Sequence, residues 1–284
     1  MTGRRDLLIA TFWPTVALAE QMDVGPVAHF CQGYEGHLEH LVPVLPEIEA
    51  AYRRPLPKLV VSPHLGQLLE EKFGQQSRLG PPILDPLFGP RPRLGPRRRP
   101  WIAVPGIYEA DVKRVALALE AVGLLESEHR RCRLLRFSSL PLGRDEAERL
   151  APTRYLCEAL PRVVAAALRN CDLLVLPSRA DEGFGLPALE AMASGVPVVA
   201  TNIPSVRFMG EGAIEVAKQD SARGLADAAS SLLSHGGGWR TARSRGLERA
   251  RRFTAERVLP ELEAAVAWAA EVTDPSRPTA TRVD

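Results

Sequence analysis

The sequence is poor in the features that mark several common protein classes. Its four cysteines, Cys31, Cys132, Cys157 and Cys171, follow no metal-ligand or redox spacing. That excludes a cysteine-built framework and suits buried, reduced thiols in a cytoplasmic protein. No apolar run is long enough to cross a membrane. The formal net charge is only +2, so no broad positive field for nucleic acid is expected. Lysine is scarce beside arginine, which reads as base-composition bias. There is no internal repeat. No Asp-x-Asp cluster stands in a suitable loop, so the motifs require neither a metal nor a cofactor.

The chain is long enough for two modest domains. Arg4-Arg5 precedes an apolar run ending Ala17-Leu18-Ala19, a pattern shared with signal peptides. Asp6 opens that run and Pro14 interrupts it, and a core strand, Leu7 to Thr11, followed by a short helix explains it equally well. Val27–Cys31 and Lys58–Ser62 read as further strands, and Pro63 to Phe73 as a helix ending at Gly74. Strands alternating with helices argue for a parallel sheet. From Leu79 to Pro100 the chain is rich in Pro, Gly and Arg without periodicity, which predicts a linker. Its Arg97-Arg98-Arg99 is a solvated surface run or a contact for acidic lipid headgroups. A larger domain follows. Strands are expected at Trp101–Val104, Arg133–Phe137, Leu173–Ser178, Val196–Ala200 and Ala213–Ala217. Helices are expected over Ala110–Val122 (capped by Gly123), over most of Thr153–Asn170 with a break near Pro161, and over Ser221–Ser234 and Trp239–Arg252, with a last one, capped by Thr254, over Ala255–Val272. The predicted domains are 1–95 and 96–272, with a disordered tail over 273–284.

The chain is organised around Glu182-Gly183-Phe184-Gly185-Leu186-Pro187-Ala188-Leu189-Glu190. It lies between an apolar strand and a helix that stops at Gly195. Pro187 suits a first helical turn, where a missing N–H costs nothing. The amides of that turn and the helix dipole favour an anion. Gly183 and Gly185 let a ligand approach the backbone. Glu182 stands before the helix and Glu190 about one turn into it, both at the C-terminal edge of the sheet, where open α/β folds bind ligands. Amides for phosphate and carboxylates for hydroxyls suit a sugar nucleotide.

The run EGFGLPALEAMASGVPVV closely resembles the signature of retaining family-4 glycosyltransferases of the GT-B fold, and Glu182 and Glu190 match their Glu-x7-Glu motif. The resemblance implies two Rossmann-like parallel-sheet domains, the N-terminal one truncated, and a nucleotide diphosphate sugar as donor. It implies that Glu190 holds the donor ribose, that Glu182 contacts the donor sugar, and that Gly183, Phe184, Gly185, Leu186 and Pro187 help hold sugar and diphosphate. Gly106 falls at the family's first C-domain glycine. Lys113, seven positions on, falls at a diphosphate-binding lysine, where it would act catalytically on the leaving group; an exposed helical lysine is the alternative. The family's usual arginine after the glycine is replaced by Ile107. Arg136, at a strand end, and Arg179 are further anion candidates. The family's final helix crosses back to the N-domain, which residues 256–272 would do here.

The first domain resembles only the second half of its family counterpart. Gln32 stands where many members carry a histidine, and His29, Glu35 and His37 are nearby polar residues for which structural roles are expected. Phe30-Cys31-Gln32-Gly33-Tyr34-Glu35 resembles a bacterial subset linked to cell-surface polysaccharides. Retaining transfer to a glycan or lipid-linked acceptor hydroxyl is therefore expected, in the cytoplasm or peripherally on the inner membrane face. The rival is a noncatalytic nucleotide-sugar-binding subunit completed by a partner chain.

Overall fold

A computed structural model describes residues 3–127, 131–234 and 236–273. The chain divides into two units: one holds the residues to Ile83 and those from Ala255, the other holds Leu84–Thr254.

In the first unit, strands β1 (Leu8–Ala10), β2 (Val27–Cys31), β3 (Lys58–Val60) and β4 (Ser77–Leu79) lie side by side in chain order. Every pairing is parallel. Helices α1 (Trp13–Gln21), α2 (Leu45–Arg53) and α3 (Pro63–Phe73) connect them. Right-handed crossovers stepping in one direction put such connecting helices on one face. Ala10 and Val27 accordingly pack with Val16, Ala19 and Ala51. Successive strand residues face opposite ways, so Ala28 turns to the other side with Leu59, where Ala265 and Ala269 of the final helix, Ala255–Val272, cover them. A helix inside the 96–272 range thus belongs to the first unit. Gly74 ends α3 in the left-handed region, φ 64°.

β4 was not anticipated. Three strands were expected here, and Ser-Arg-Leu is too short and too polar to give a periodic signal. It pairs because β3 presents a free parallel edge.

The second unit carries β5 (Trp101–Pro105), α4 (Val115–Ser127), β6 (Arg133–Ser138), α5 (Arg144–Arg149), β7 (Arg154–Cys157), α6 (Pro161–Leu168) and β8 (Leu173–Leu176). It continues with α7 (Leu186–Ala193), β9 (Val198–Ala200), α8 (Pro204–Gly210), β10 (Glu215–Val216), α9 (Ala222–Ser234) and α10 (Gly236–Ala250); the Ala255–Val272 helix is α11. Among the described residues its sheet is six-stranded, in the order β10-β9-β8-β5-β6-β7, and parallel throughout. The chain steps outward from β5 to β7, then returns to β8 and steps outward the other way. β5 and β8 therefore flank the switch point where such sheets open a ligand crevice. Ile102 and Val175 pack with Leu119, Val122, Leu225 and Ala229 from α4 and α9.

Three expectations are corrected here. The helix expected over Ala110–Val122 begins as a 3-10 turn, Asp111–Lys113, and Arg114 at φ 45° separates it from α4. α4 then runs through Gly123, because Leu125 beyond it is buried in the core and that gain exceeds the ~1 kcal/mol cost of a helical glycine. The helix expected over Thr153–Asn170 is β7 followed by α6. Residues Arg154–Cys157 pair with the edge of β6, and the Leu134 N–H donates to Thr153 Oγ1 at 3.1 Å. The 79–100 stretch is an ordered strap from Leu84 onward. Arg93 and Arg97 both pair with buried Asp172, whose carboxylate also accepts the N–H groups of Arg97 and Trp101 at 2.9 and 2.8 Å. Arg97 is therefore engaged with protein. The tail beyond residue 273 lies outside the described residues.

Candidate functional site

Two loops meet at the switch point. The first leaves β5 through Gly106, whose φ is 109°; a Cβ there would lie 3.2 Å from Lys113 Cβ. Glycine is required twice over, by backbone and by the close approach of Lys113. The second leaves β8 through Pro177 and Ser178. The Arg179 N–H donates to the Val112 carbonyl at 2.9 Å, joining the loops, and the Glu182 N–H donates to the Arg179 carbonyl at 3.0 Å.

That geometry delivers Glu182 to Lys113. Lys113 Nζ donates to both carboxylate oxygens, at 2.9 and 2.7 Å. Ser178 Oγ donates to Oε2 at 2.9 Å, and Thr201 Oγ1 donates to the Ser178 carbonyl at 2.5 Å from the end of β9. The Glu182 side chain is 8% exposed while that of Lys113 is 31% exposed. The carboxylate is thus fixed from behind and the ammonium keeps an open side.

Phe184 is a buried anchor whose ring packs edge-on against Phe208 and Phe253, at 6.3 and 5.4 Å between centroids. Gly185 precedes α7 at φ 90°, and Pro187 lies in the first turn. Leu186 is exposed. Glu190, one turn along α7, is half-buried, and its carboxyl group makes no hydrogen bond to a described residue. Burial, with the nearby negative charge of Asp85, pushes its pKa up to about 7.

The structure therefore brings Lys113, Glu182, Gly106 and the Gly183–Pro187 turn together, with Glu190 on the helix that the turn opens. Arg136 is the exception. It is fully buried, and its guanidinium is spent on Glu146 at 2.5 Å, the Val104 carbonyl at 2.6 Å and the Gly106 carbonyl at 2.9 Å. A strand-end arginine looked like an anion ligand; here it shapes the Gly106 loop from beneath. Arg179 pairs with Asp181 at 3.5 Å. Ser178 and Asp85 were missed. Only the spacing of four between Ser178 and Glu182 could have pointed to the first, and nothing local points to the second.

In the first unit, His29 is buried against Tyr52, 4.9 Å between ring centroids, and its Nδ1 has no partner among the described residues. Burial and then the Lys58 charge lower its pKa to about 3, so it stays neutral. Glu35 accepts the Tyr52 hydroxyl at 2.5 Å, and Gln32 donates to the Thr11 carbonyl at 3.4 Å. Among the described residues, no three His, Cys, Asp or Glu side chains cluster as a metal site, and no helix is long and apolar enough to cross a membrane.

Two parallel α/β sheets, one with a glycine loop, a lysine and two carboxylates at its switch point, define a GT-B architecture. Among solved structures the chain is similar to sucrose-phosphate synthase from Thermosynechococcus elongatus, with a TM-score of 0.71 and 21% identity over 93% of this chain and 73% of that one. It is similar to TarM with a TM-score of 0.73 and 14% identity over 92% of this chain and 55% of that one. At these identities the likeness speaks for the fold alone. Residues 99–235, the stretch that holds Lys113, Glu182 and Glu190, match the family described as Glycosyl transferases group 1. Among curated proteins, the phosphatidyl-myo-inositol mannosyltransferase of Mycobacterium leprae is 32% identical over 157 residues, 50% of this chain and 38% of that protein. The lipopolysaccharide core biosynthesis mannosyltransferase LpsB of Rhizobium meliloti is 42% identical over 69 residues, 23% of this chain and 19% of that protein. The matches thus span well under half the length of these relatives.

Proposed function

We propose that this chain is a retaining glycosyltransferase of family-4 type that passes a hexose or deoxyhexose from a nucleotide diphosphate sugar to a glycan or lipid-linked acceptor hydroxyl. The bond between the anomeric carbon and the diphosphate breaks, and the acceptor oxygen bonds on the same face. Charge grows on the diphosphate as it leaves. Lys113 and the dipole and amides at the start of α7 are the groups available to stabilise it, acting where charge develops. Glu182, held by Ser178 and Lys113, contacts the donor sugar, and Glu190 accepts hydroxyls of the ribose. Neither metal nor cofactor is needed for this division of labour.

The observation that carries the reading is the Lys113–Glu182 pair across the switch point, with Glu190, whose carboxyl group has no hydrogen-bond partner among the described residues, one turn into the helix that follows. Two relatives are named mannosyltransferases, which supports a hexose donor and a role in cell-surface glycoconjugates. Staphylococcus aureus TarM was solved with Fondaparinux, alpha-GlcNAc-glycerol and UDP, which supports a nucleotide with a glycan on this architecture. A cytoplasmic setting, where nucleotide sugars are made, follows from the donor; contact with the inner membrane face would follow from a lipid-linked acceptor.

Donor-hydrolysis and transfer assays, with calorimetry of UDP and dTDP, test this. Lys113→Ala should lower turnover about 10²-fold or more, the range for losing one preorganised charge-stabilising group. Glu190→Ala should weaken nucleotide affinity about tenfold or more. Unchanged turnover and affinity in both variants would overturn the assignment. Nucleotide binding without turnover by the purified chain would instead favour the binding subunit.

A further inference from the structure

A cationic cavity lies one layer of rings from the donor loop. Its volume is about 400 Å³, and it is lined by Arg245, Arg249 and Arg252, by Glu211 and Glu248, and by the turn after α8. Arg245 and Arg249, four apart on α10, share one side of that helix, and Arg252 follows in the 3-10 turn Arg251–Phe253. None of the five charged residues was singled out by sequence.

Their partners divide them sharply. Arg249 is anchored: it donates to the carbonyls of Met209 at 2.8 Å and Phe208 at 2.6 Å, pairs with Glu211, and lies over the Phe253 ring at 5.1 Å. Glu211 reaches it from a left-handed backbone at φ 40°, followed by Gly212 at φ 79°, a turn that costs roughly 1–2 kcal/mol for a residue with a side chain. The side chains of Arg245 and Arg252, by contrast, make no hydrogen bond or ion pair with any described residue, and both are exposed. Glu248 lies between them in sequence and pairs with neither. With Glu211 neutralising Arg249, the remaining two cations and one carboxylate leave the cavity net positive. Each free guanidinium offers five donors in a planar fork that matches phosphate oxygens.

We propose that this cavity is a phosphate-binding site, with Arg245 and Arg252 as the principal ligands and Arg249 as the fixed wall between the phosphate and the Phe208–Phe253 layer. The ligand class is a phosphate or phosphomonoester group, carried by a small solute or by a lipid headgroup. Phe184, Phe208 and Phe253 separate this cavity from the donor loop, so it is a second site and does not rest on the donor assignment.

The test uses the full chain. Inorganic phosphate is titrated by calorimetry into the Lys113→Ala variant, which removes the cation expected to hold phosphate at the donor loop, and into the same variant carrying Arg245→Gln and Arg252→Gln. The first should bind, and the second should bind at least tenfold more weakly, since each charge-assisted contact is worth about a factor of ten. The two arginines have no described partners, so matched thermal melts are expected, and they check that the fold is intact. Sedimentation with vesicles of phosphatidic acid in phosphatidylcholine separates the sources: arginine-dependent sedimentation assigns a headgroup, and arginine-dependent phosphate affinity without sedimentation assigns a soluble ligand. Phosphate affinity and sedimentation that are both indifferent to the two substitutions overturn the site, whatever the fate of the donor reading.

Discussion

Glu190 is a carboxyl group whose folded-state pKa lies near 7, above its ordinary 4.5, chiefly through burial and then through Asp85. The folded state therefore binds this proton more tightly than the unfolded chain, so folding stability falls as pH rises from about 4.5 to 7 and the penalty is complete above that. Glu190→Gln removes it. The variant should be more stable than the parent at pH 8, by up to roughly 3 kcal/mol, and the gap should close at pH 4.5. Nucleotide affinity should move the opposite way. It should tighten in the parent as pH rises through 7, when the carboxylate can accept ribose hydroxyls, and lose that dependence in Glu190→Gln. Gly185 is a different kind of residue. A Cβ there would meet Leu176 and Met209 at an ordinary 3.5 Å, yet φ is 90°, so the objection to a side chain is backbone strain alone. Gly185→Ala should cost about 1–2 kcal/mol in urea unfolding and weaken nucleotide binding, because the amides before α7 must shift to relieve the strain.

At the scale of elements, the legible ones were those whose local chemistry agreed with their packing. α3 could be read to the residue because Pro63 opens it, its apolar face repeats at helical spacing and Gly74 closes it. α11 was likewise placed at Ala255–Val272. β4 and β7 were not legible. Both are edge strands, short and half-exposed, and they exist because a neighbour offers unpaired backbone groups, which is a property of the neighbour's sequence. The strap after Leu84 was misread for a related reason: Pro, Gly and Arg look like a linker, and only the fold brings Asp172 beneath Arg93 and Arg97. Asp172→Ala should therefore destabilise the second unit by about 3–5 kcal/mol, the cost of leaving a buried guanidinium unpaired. Equilibrium unfolding followed by the Trp239 signal would measure it, since Trp239 donates its indole N–H to the Asp172 carbonyl at 2.7 Å.

At the scale of the whole molecule, the second unit is one continuous segment, Leu84–Thr254, whereas the first needs both ends of the chain. A fragment covering 84–254 should fold, melt cooperatively and keep the nucleotide affinity of the full chain. A fragment ending at Ile83 should not fold, because Ala28 and Leu59 would lose the helix that covers them. Circular dichroism and calorimetry on the two fragments would check both outcomes. The sequence by itself determined the α/β class, the parallel second sheet and the grouping of Gly183, Gly185, Pro187 and the two glutamates, because each is set by residues within a turn or two of one another. Tertiary structure alone decided that Lys113 pairs with Glu182, that Arg136 is a buried brace rather than an anion ligand, and that the Arg245 and Arg252 side chains have no partners among the described residues. Those outcomes depend on strand order and on which loops a switch point brings face to face. Contacts between positions dozens of residues apart leave no periodicity for a single sequence to display.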